Sequence, residues 1–159
     1  MKACVIPGSF DPITLGHMDI VRRACALCDS VTVAVLVNAA KASAFTLDER
    51  KSMVIAATNG LPGVRVDAFE GALTDYMRGQ GIGVIVRGAR TEADFAMETR
   101  LAAVYRAMDP EVELVLLPAS AAVAFISSGV VRELAGLGKD LRGWVPDEIA
   151  SAVLRKYET

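Results

Sequence analysis

The chain holds a single histidine, His17, three residues after Thr14 in the string Pro7-Gly8-Ser9-Phe10-Asp11-Pro12-Ile13-Thr14-Leu15-Gly16-His17. An apolar run, 3–6, precedes the string, and a helical pattern begins near Met18. A strand, a Gly-rich loop and a helix start in that order make an anion site. The first helical turn leaves backbone N–H groups unpaired and carries a partial positive charge. Gly8 and Gly16 permit a turn or a close backbone approach where a Cβ would clash. Ser9, Thr14 and His17 add two hydroxyls and an imidazole at the same end. A lone histidine at a helix start is ordinarily a cap or a packing residue; its place beside a Gly-rich turn favours phosphate binding. The string is neither G-x-x-x-x-G-K-[ST] nor G-x-G-x-x-G, which argues against a P-loop and against a dinucleotide oxidoreductase.

Other groups suited to anions recur at intervals. Lys41 stands in a loop of small residues, 38–44, where a solvated lysine is the ordinary outcome and a phosphate contact the functional one. Arg87 and Arg90 follow a fourth apolar run with Gly88 between them, a spacing suited to a phosphate clamp. Ser127 and Ser128 can cap the helix they open and hold a phosphate at the same helix end. Cys25-x-x-Cys28 has no second Cys or His pair for tetrahedral zinc, and its spacing fits the inner face of a helix. Asp94 and Glu98, four apart, read as a solvated or salt-bridged helix face.

Elements that must position these groups alternate along the chain. Strands are expected over 2–6, 30–37, 64–69, 83–86 and 113–117. Helices are expected over 16–28, 46–58, 72–80, 92–108, from about 128 to 134, and over 146–156. The second strand, rich in valine, suits a sheet buried on both faces. Thr46-Leu47-Asp48-Glu49 is a capping box. The pattern predicts an α/β fold: one domain, 1–159, with a doubly wound, five-stranded parallel sheet of Rossmann-like form. In such sheets ligands bind beyond the carboxyl ends of the strands, near the switch in strand order. Ser9, His17, Lys41, Leu73, Arg87, Arg90, Ser127 and Ser128 all follow strands, so one sheet edge should bind anions.

Composition sets outer limits. A chain of 159 residues, 53% hydrophobic, can bury a good core and leave apolar surface for an oligomer. Its net charge of −2 provides no basic footprint for nucleic acid. No apolar run of membrane-spanning length and no secretory signal is read, and three cysteines fit a reducing cytoplasm.

Thr14-Leu15-Gly16-His17 matches the T-x-G-H motif of a nucleotidyltransferase superfamily, and the string from Gly8 to His17 resembles the bacterial phosphopantetheine adenylyltransferases. Phe45-Thr46-Leu47-Asp48-Glu49-Arg50 resembles that family's entry to its second helix. Val86-Arg87-Gly88-Ala89-Arg90, with Ala93-Asp94-Phe95 and Glu98, resembles its fourth-strand motif. Phe125-Ile126-Ser127-Ser128, with Val131 and Arg132, resembles its last motif. The resemblance implies transfer of adenylyl from ATP to 4′-phosphopantetheine, giving dephospho-coenzyme A and pyrophosphate. It implies a homohexamer and Mg2+ held mainly by phosphates and water, with no protein metal site. By position, Ser9, Lys41, Leu73 and Arg87 would meet phosphopantetheine. Ser9, Phe10, His17, Gly88, Ala89, Arg90, Glu98 and the run Val123, Ala124, Phe125, Ile126, Ser127, Ser128, Gly129 would meet ATP. His17, Lys41, Arg90 and Ser9 would serve the chemistry, with Lys41 and Arg90 as cations and His17 as a third where its ring is protonated.

Two departures stand out. The last motif lacks an aromatic and two hydroxyls at Val123, Ala124 and Gly129, and Asp94-Phe95-Ala96-Met97-Glu98 lacks a second aromatic. Two other readings stay open: a sibling transferase with a different acceptor, and a nucleotide-binding protein with weak catalysis.

Overall fold

A computed structural model describes residues 2–37 and 42–158. Lys41 lies outside the described residues. The strands are β1 (Ala3–Gly8), β2 (Ser30–Val37), β3 (Val64–Glu70), β4 (Val84–Ala89) and β5 (Glu113–Pro118). The helices are α1 (Leu15–Cys25), α2 (Leu47–Thr58), α3 (Leu73–Gln80), α4 (Glu92–Met108), α5 (Ser128–Gly136) and α6 (Asp147–Arg155). The sheet has five strands in the order β3-β2-β1-β4-β5, and every neighbouring pair is parallel. The chain winds outward from β1 through β2 to β3, then crosses back to β4 and β5. The strand order therefore switches between β1 and β4.

Side chains on a strand alternate between faces, and the core divides accordingly. Cys4, Ile6, Val31, Val33, Val35 and Val86 join one apolar cluster, on the face that also buries Val21, Val54 and Val131. Val5, Ala34 and Ile85 join the cluster on the other face, with Met77 of α3 and Val112. Cys25 and Cys28 pack against the larger cluster. Burial on both faces is what lets β2 be an almost unbroken run of β-branched residues.

The starts of α1, α2, α4 and α5 are marked by short polar side chains. Thr14, Thr46 and Thr91 each close a capping box, with His17, Glu49 and Asp94 respectively as the reciprocal partner. Ser127 Oγ accepts the Val130 N–H at the start of α5. Two boundaries differ by three residues from the sequence expectation. The first helix stops at Cys25 rather than 28, because the chain must turn there for Asp29 to donate to the Lys2 carbonyl at the sheet edge. The fourth strand runs past 86 to Ala89, because β5 pairs with it as far as Ala89–Pro118. Arg87 and Gly88 are thus strand residues, not loop residues.

Candidate active site

β1 and β4 pair at Cys4–Val84 and Val5–Ile85, whereas β1 stays paired with β2 through Gly8 and β4 with β5 through Ala89. Beyond Val5 the two central strands splay, as expected where strand order switches. A cavity of about 780 Å³ opens there.

The loop after β1 is held from three sides. Arg50 of α2, which is buried, donates to the carbonyls of Ser9 (2.7 Å) and Leu36 (3.1 Å). The Asp11 carboxylate accepts the N–H groups of Ala44 and Phe45, both at 2.9 Å, which ties the loop to the entry of α2. From α5, Arg132 donates to the Asp11 carbonyl (2.5 Å) and Ser128 Oγ to the Pro12 carbonyl (2.8 Å). Phe10 adopts a left-handed backbone, φ 47°, with its ring buried. Gly8 lies under that ring, so close that a Cβ there would stand 2.9 Å from Phe10 Cζ. A sparsely populated φ held by surrounding structure is characteristic of ligand-binding loops.

His17 stands edge-on to Phe10, with ring centroids 5.1 Å apart. Its Nδ1 accepts the Thr14 backbone N–H at 3.0 Å, while its own N–H donates to Thr14 Oγ1 at 3.3 Å. Burial, with help from the Arg90 and Arg87 guanidiniums, pushes its pKa down to about 4. The ring is therefore neutral at pH 7, and because Nδ1 is an acceptor the proton sits on Nε2. His17 is thereby set apart from the cations, and its imidazole presents a hydrogen-bond donor at Nε2.

The arginines are also less free than their spacing suggests. Arg87 Nε and Nη2 both donate to Glu98 Oε1, at 2.9 and 2.7 Å, and Nη1 donates to the Pro7 carbonyl at 2.7 Å. Glu98 is 2% exposed, and its Oε2 has no partner among the described residues. It is not part of a solvated helix face. Arg90 donates to the Ile126 carbonyl at 3.3 Å, and its Nε lies 3.5 Å from Asp94 Oδ2. These contacts tie the end of β4 to the start of α5.

Of the residues singled out in the sequence, Ser9, Phe10, His17, Leu73, Arg87, Gly88, Arg90, Glu98, Ile126, Ser127, Ser128 and Gly129 line this one cavity. Ala89, Val123, Ala124 and Phe125 are not among its lining residues. Ala89 uses its carbonyl to accept from Ala119, and Phe125, 61% exposed, turns its ring against Trp144 at 5.4 Å. Sequence reasoning assigned no role to Asp11, Arg50 or Arg132, although all three lie in or beside the recognised strings. Their work is in loop-bracing hydrogen bonds that residue type does not reveal. Thr74, which also lines the cavity, carried no signal at all. Among the described residues no group of three or more His, Cys, Asp or Glu side chains is placed to hold a metal ion.

The cytidylyltransferase-like family matches residues 5–134 of the chain. Phosphopantetheine adenylyltransferase from Heliobacterium modesticaldum is 43% identical over 157 residues, covering 99% of this chain and 94% of its own length. Enzymes of the same name from Thermomicrobium roseum and Alkalilimnicola ehrlichii are each 44% identical, covering 96% of this chain and 93% and 89% of their own lengths. The chain belongs to the phosphopantetheine adenylyltransferase family. A crystal structure described as that of a nicotinate-nucleotide adenylyltransferase from Vibrio parahaemolyticus shares the fold, with a TM-score of 0.73 at 18% identity over 100% of this chain and 98% of that one. In this member of the phosphopantetheine adenylyltransferase family, the 5–134 match spans nearly all of the cavity-forming elements, from β1 into α5, and excludes α6.

Proposed function

We propose that the chain transfers the adenylyl group of ATP to 4′-phosphopantetheine, giving dephospho-coenzyme A and pyrophosphate in coenzyme A synthesis. The observation that carries this reading is one cavity, at the switch point of a parallel sheet, lined by a neutral His17, the three arginines Arg87, Arg90 and Arg132, and the N-terminal ends of α1 and α5. Near-full-length similarity to enzymes of that name supports the choice of acceptor.

The chemistry needs no covalent intermediate. An oxygen of the acceptor phosphate attacks the α-phosphorus of ATP. The bond from that phosphorus to the bridging oxygen of the β-phosphate breaks, and its electron pair leaves on pyrophosphate. The protein must align the two phosphates and stabilise charge as it moves onto the leaving group. His17 Nε2–H, the Arg90 guanidinium and the N–H groups at the starts of α1 and α5 are donors suited to that work. Ser9 lies between the two substrates, and Lys41 adds a cation. Leu73 and Arg87 take the acceptor, while Phe10, Gly88 and the 126–129 segment take the nucleotide. Magnesium is proposed to arrive on the ATP phosphates and water.

The proposed assembly is a homohexamer in the cytoplasm. It is supported by α4, on which Phe95 (57%), Met97 (45%), Val104 (51%) and Met108 (50%) are exposed. No helix among the described residues is long and apolar enough to cross a membrane.

The deciding experiment is pyrophosphate release from ATP and magnesium, with and without 4′-phosphopantetheine, and with nicotinate mononucleotide as control acceptor. Release dependent on 4′-phosphopantetheine is expected. Release with the control acceptor alone would favour a sibling transferase. ATP binding without release from either would leave a nucleotide-binding protein.

A further inference from the structure

Glu98 sits in the wall of the cavity with its carboxylate almost wholly out of solvent, 3% exposed, against Arg87 at 29%. A buried ion pair is a poor stabiliser compared with apolar packing of the same volume. This pair is a poorer one than most, because among the described residues only Oε1 is engaged and Oε2 has no partner. A carboxylate serving packing alone is hard to account for at this position. What the geometry does achieve is to immobilise Arg87. One oxygen takes both Nε–H and Nη2–H along the side of the guanidinium, and the Pro7 carbonyl takes Nη1–H. That carbonyl is available because β1 and β4 have splayed by that point. A guanidinium has five N–H donors, so among the described residues two of Arg87's have no partner.

We propose that Glu98 is a positioning residue: its Oε1 fixes the plane of Arg87 in the wall of the cavity, so that the two unused N–H groups of the guanidinium are held ready for the phosphate of the acceptor. The proposal rests on the acceptor reading above and gives Glu98 a role exercised through Arg87. An arginine held in one plane has less side-chain freedom to lose when an anion binds, and that preorganisation appears as affinity.

The test is calorimetric titration of 4′-phosphopantetheine, and separately of ATP, into the wild type and three variants. Glu98→Ala removes the acceptor atom. Glu98→Met removes it while filling the space, which keeps the test alive should the alanine variant fail to fold. Glu98→Gln keeps an oxygen able to accept from the same side of Arg87. Expected is about tenfold weaker binding of 4′-phosphopantetheine by the alanine and methionine variants, recovery to within about threefold by glutamine, and a change in ATP affinity smaller than the change in acceptor affinity throughout. Tighter acceptor binding in all three variants would mean that Glu98 only neutralises Arg87, and would overturn the proposal. Unchanged acceptor binding with a lowered melting temperature would reduce the pair to a structural one, and a selective loss of ATP affinity would make Glu98 a nucleotide contact. Should the wild type bind no 4′-phosphopantetheine, the acceptor reading fails by itself. Inorganic pyrophosphate, titrated into the same proteins, then tests the positioning role: the same ranking of variants supports it, and no binding or no ranking rejects it.

Discussion

At the scale of single residues, the state of His17 is the most consequential feature of the site. Its folded pKa of about 4 lies below the ordinary 6.5, because burial and two guanidiniums penalise the charged ring. Between those values the unfolded chain binds a proton that the folded chain does not. The His17 contribution to stability is therefore complete above pH 6.5, falls as pH drops towards 4, and is constant below that. We expect His17→Ala to lose this acid-dependent step and to release pyrophosphate about 10²- to 10³-fold more slowly, in line with loss of one preorganised donor. Urea unfolding at a series of pH values and the pyrophosphate assay check both parts. As the only histidine, His17 can also be followed by NMR, where a ring titration midpoint near 6.5 would contradict the neutral-donor assignment. Thr14-Leu15-Gly16-His17 was legible in the sequence as a phosphate grip. The protonation state was not, because it depends on burial and then on Arg90 and Arg87, some seventy residues away in the chain and brought close only by the fold.

Among elements, the close packing of β4 on α1 is what brings those charges together. Gly88 makes it possible: a Cβ there would lie 2.9 Å from Ile20 Cγ1 and 3.0 Å from Cδ1, and Ile20 is buried. Gly88→Ala is expected to push Ile20 and α1 away from the sheet, at a cost of about 1–3 kcal/mol. The KM for ATP should rise, because His17 rides on α1 while Arg90 follows β4. Chemical denaturation and steady-state kinetics measure the two effects, and a variant with native stability would show that the contact is easily relieved. Helix starts were readable in advance, since Thr46 and Glu49 form the capping box that their spacing announces. The end of β4 was not, since the residues from Arg87 to Ala89 carry no β-branched side chain and are strand only because β5 pairs with them.

For the whole molecule, the exposed apolar residues of α4 bear on assembly. Met97, Val104 and Met108 recur at a spacing that places them along one helix face, and Met97 and Met108 also line the cavity. Val104→Glu, at a position 51% exposed in the single chain, should leave the fold intact and lower the molecular mass in solution. Light scattering after size-exclusion chromatography measures it; an unchanged mass would move the proposed interface away from this face. A hydrophobic content of 53% permitted an oligomer, but composition does not say which face is apolar.

The sequence by itself determined the alternation of strands and helices, the parallel sheet and the T-x-G-H turn, together with a set of residues that mostly share one cavity. These are local properties: side-chain periodicity, caps and glycines act within a few residues of where they are written. Only the tertiary structure decided that His17 is neutral, that Arg87 is already held by Glu98 and Pro7, and that Asp11, Arg50 and Arg132 brace the loop that the site is built on. Those outcomes depend on burial and on hydrogen bonds between residues far apart in the chain. They come into being only when β1 and β4 lie side by side and then diverge.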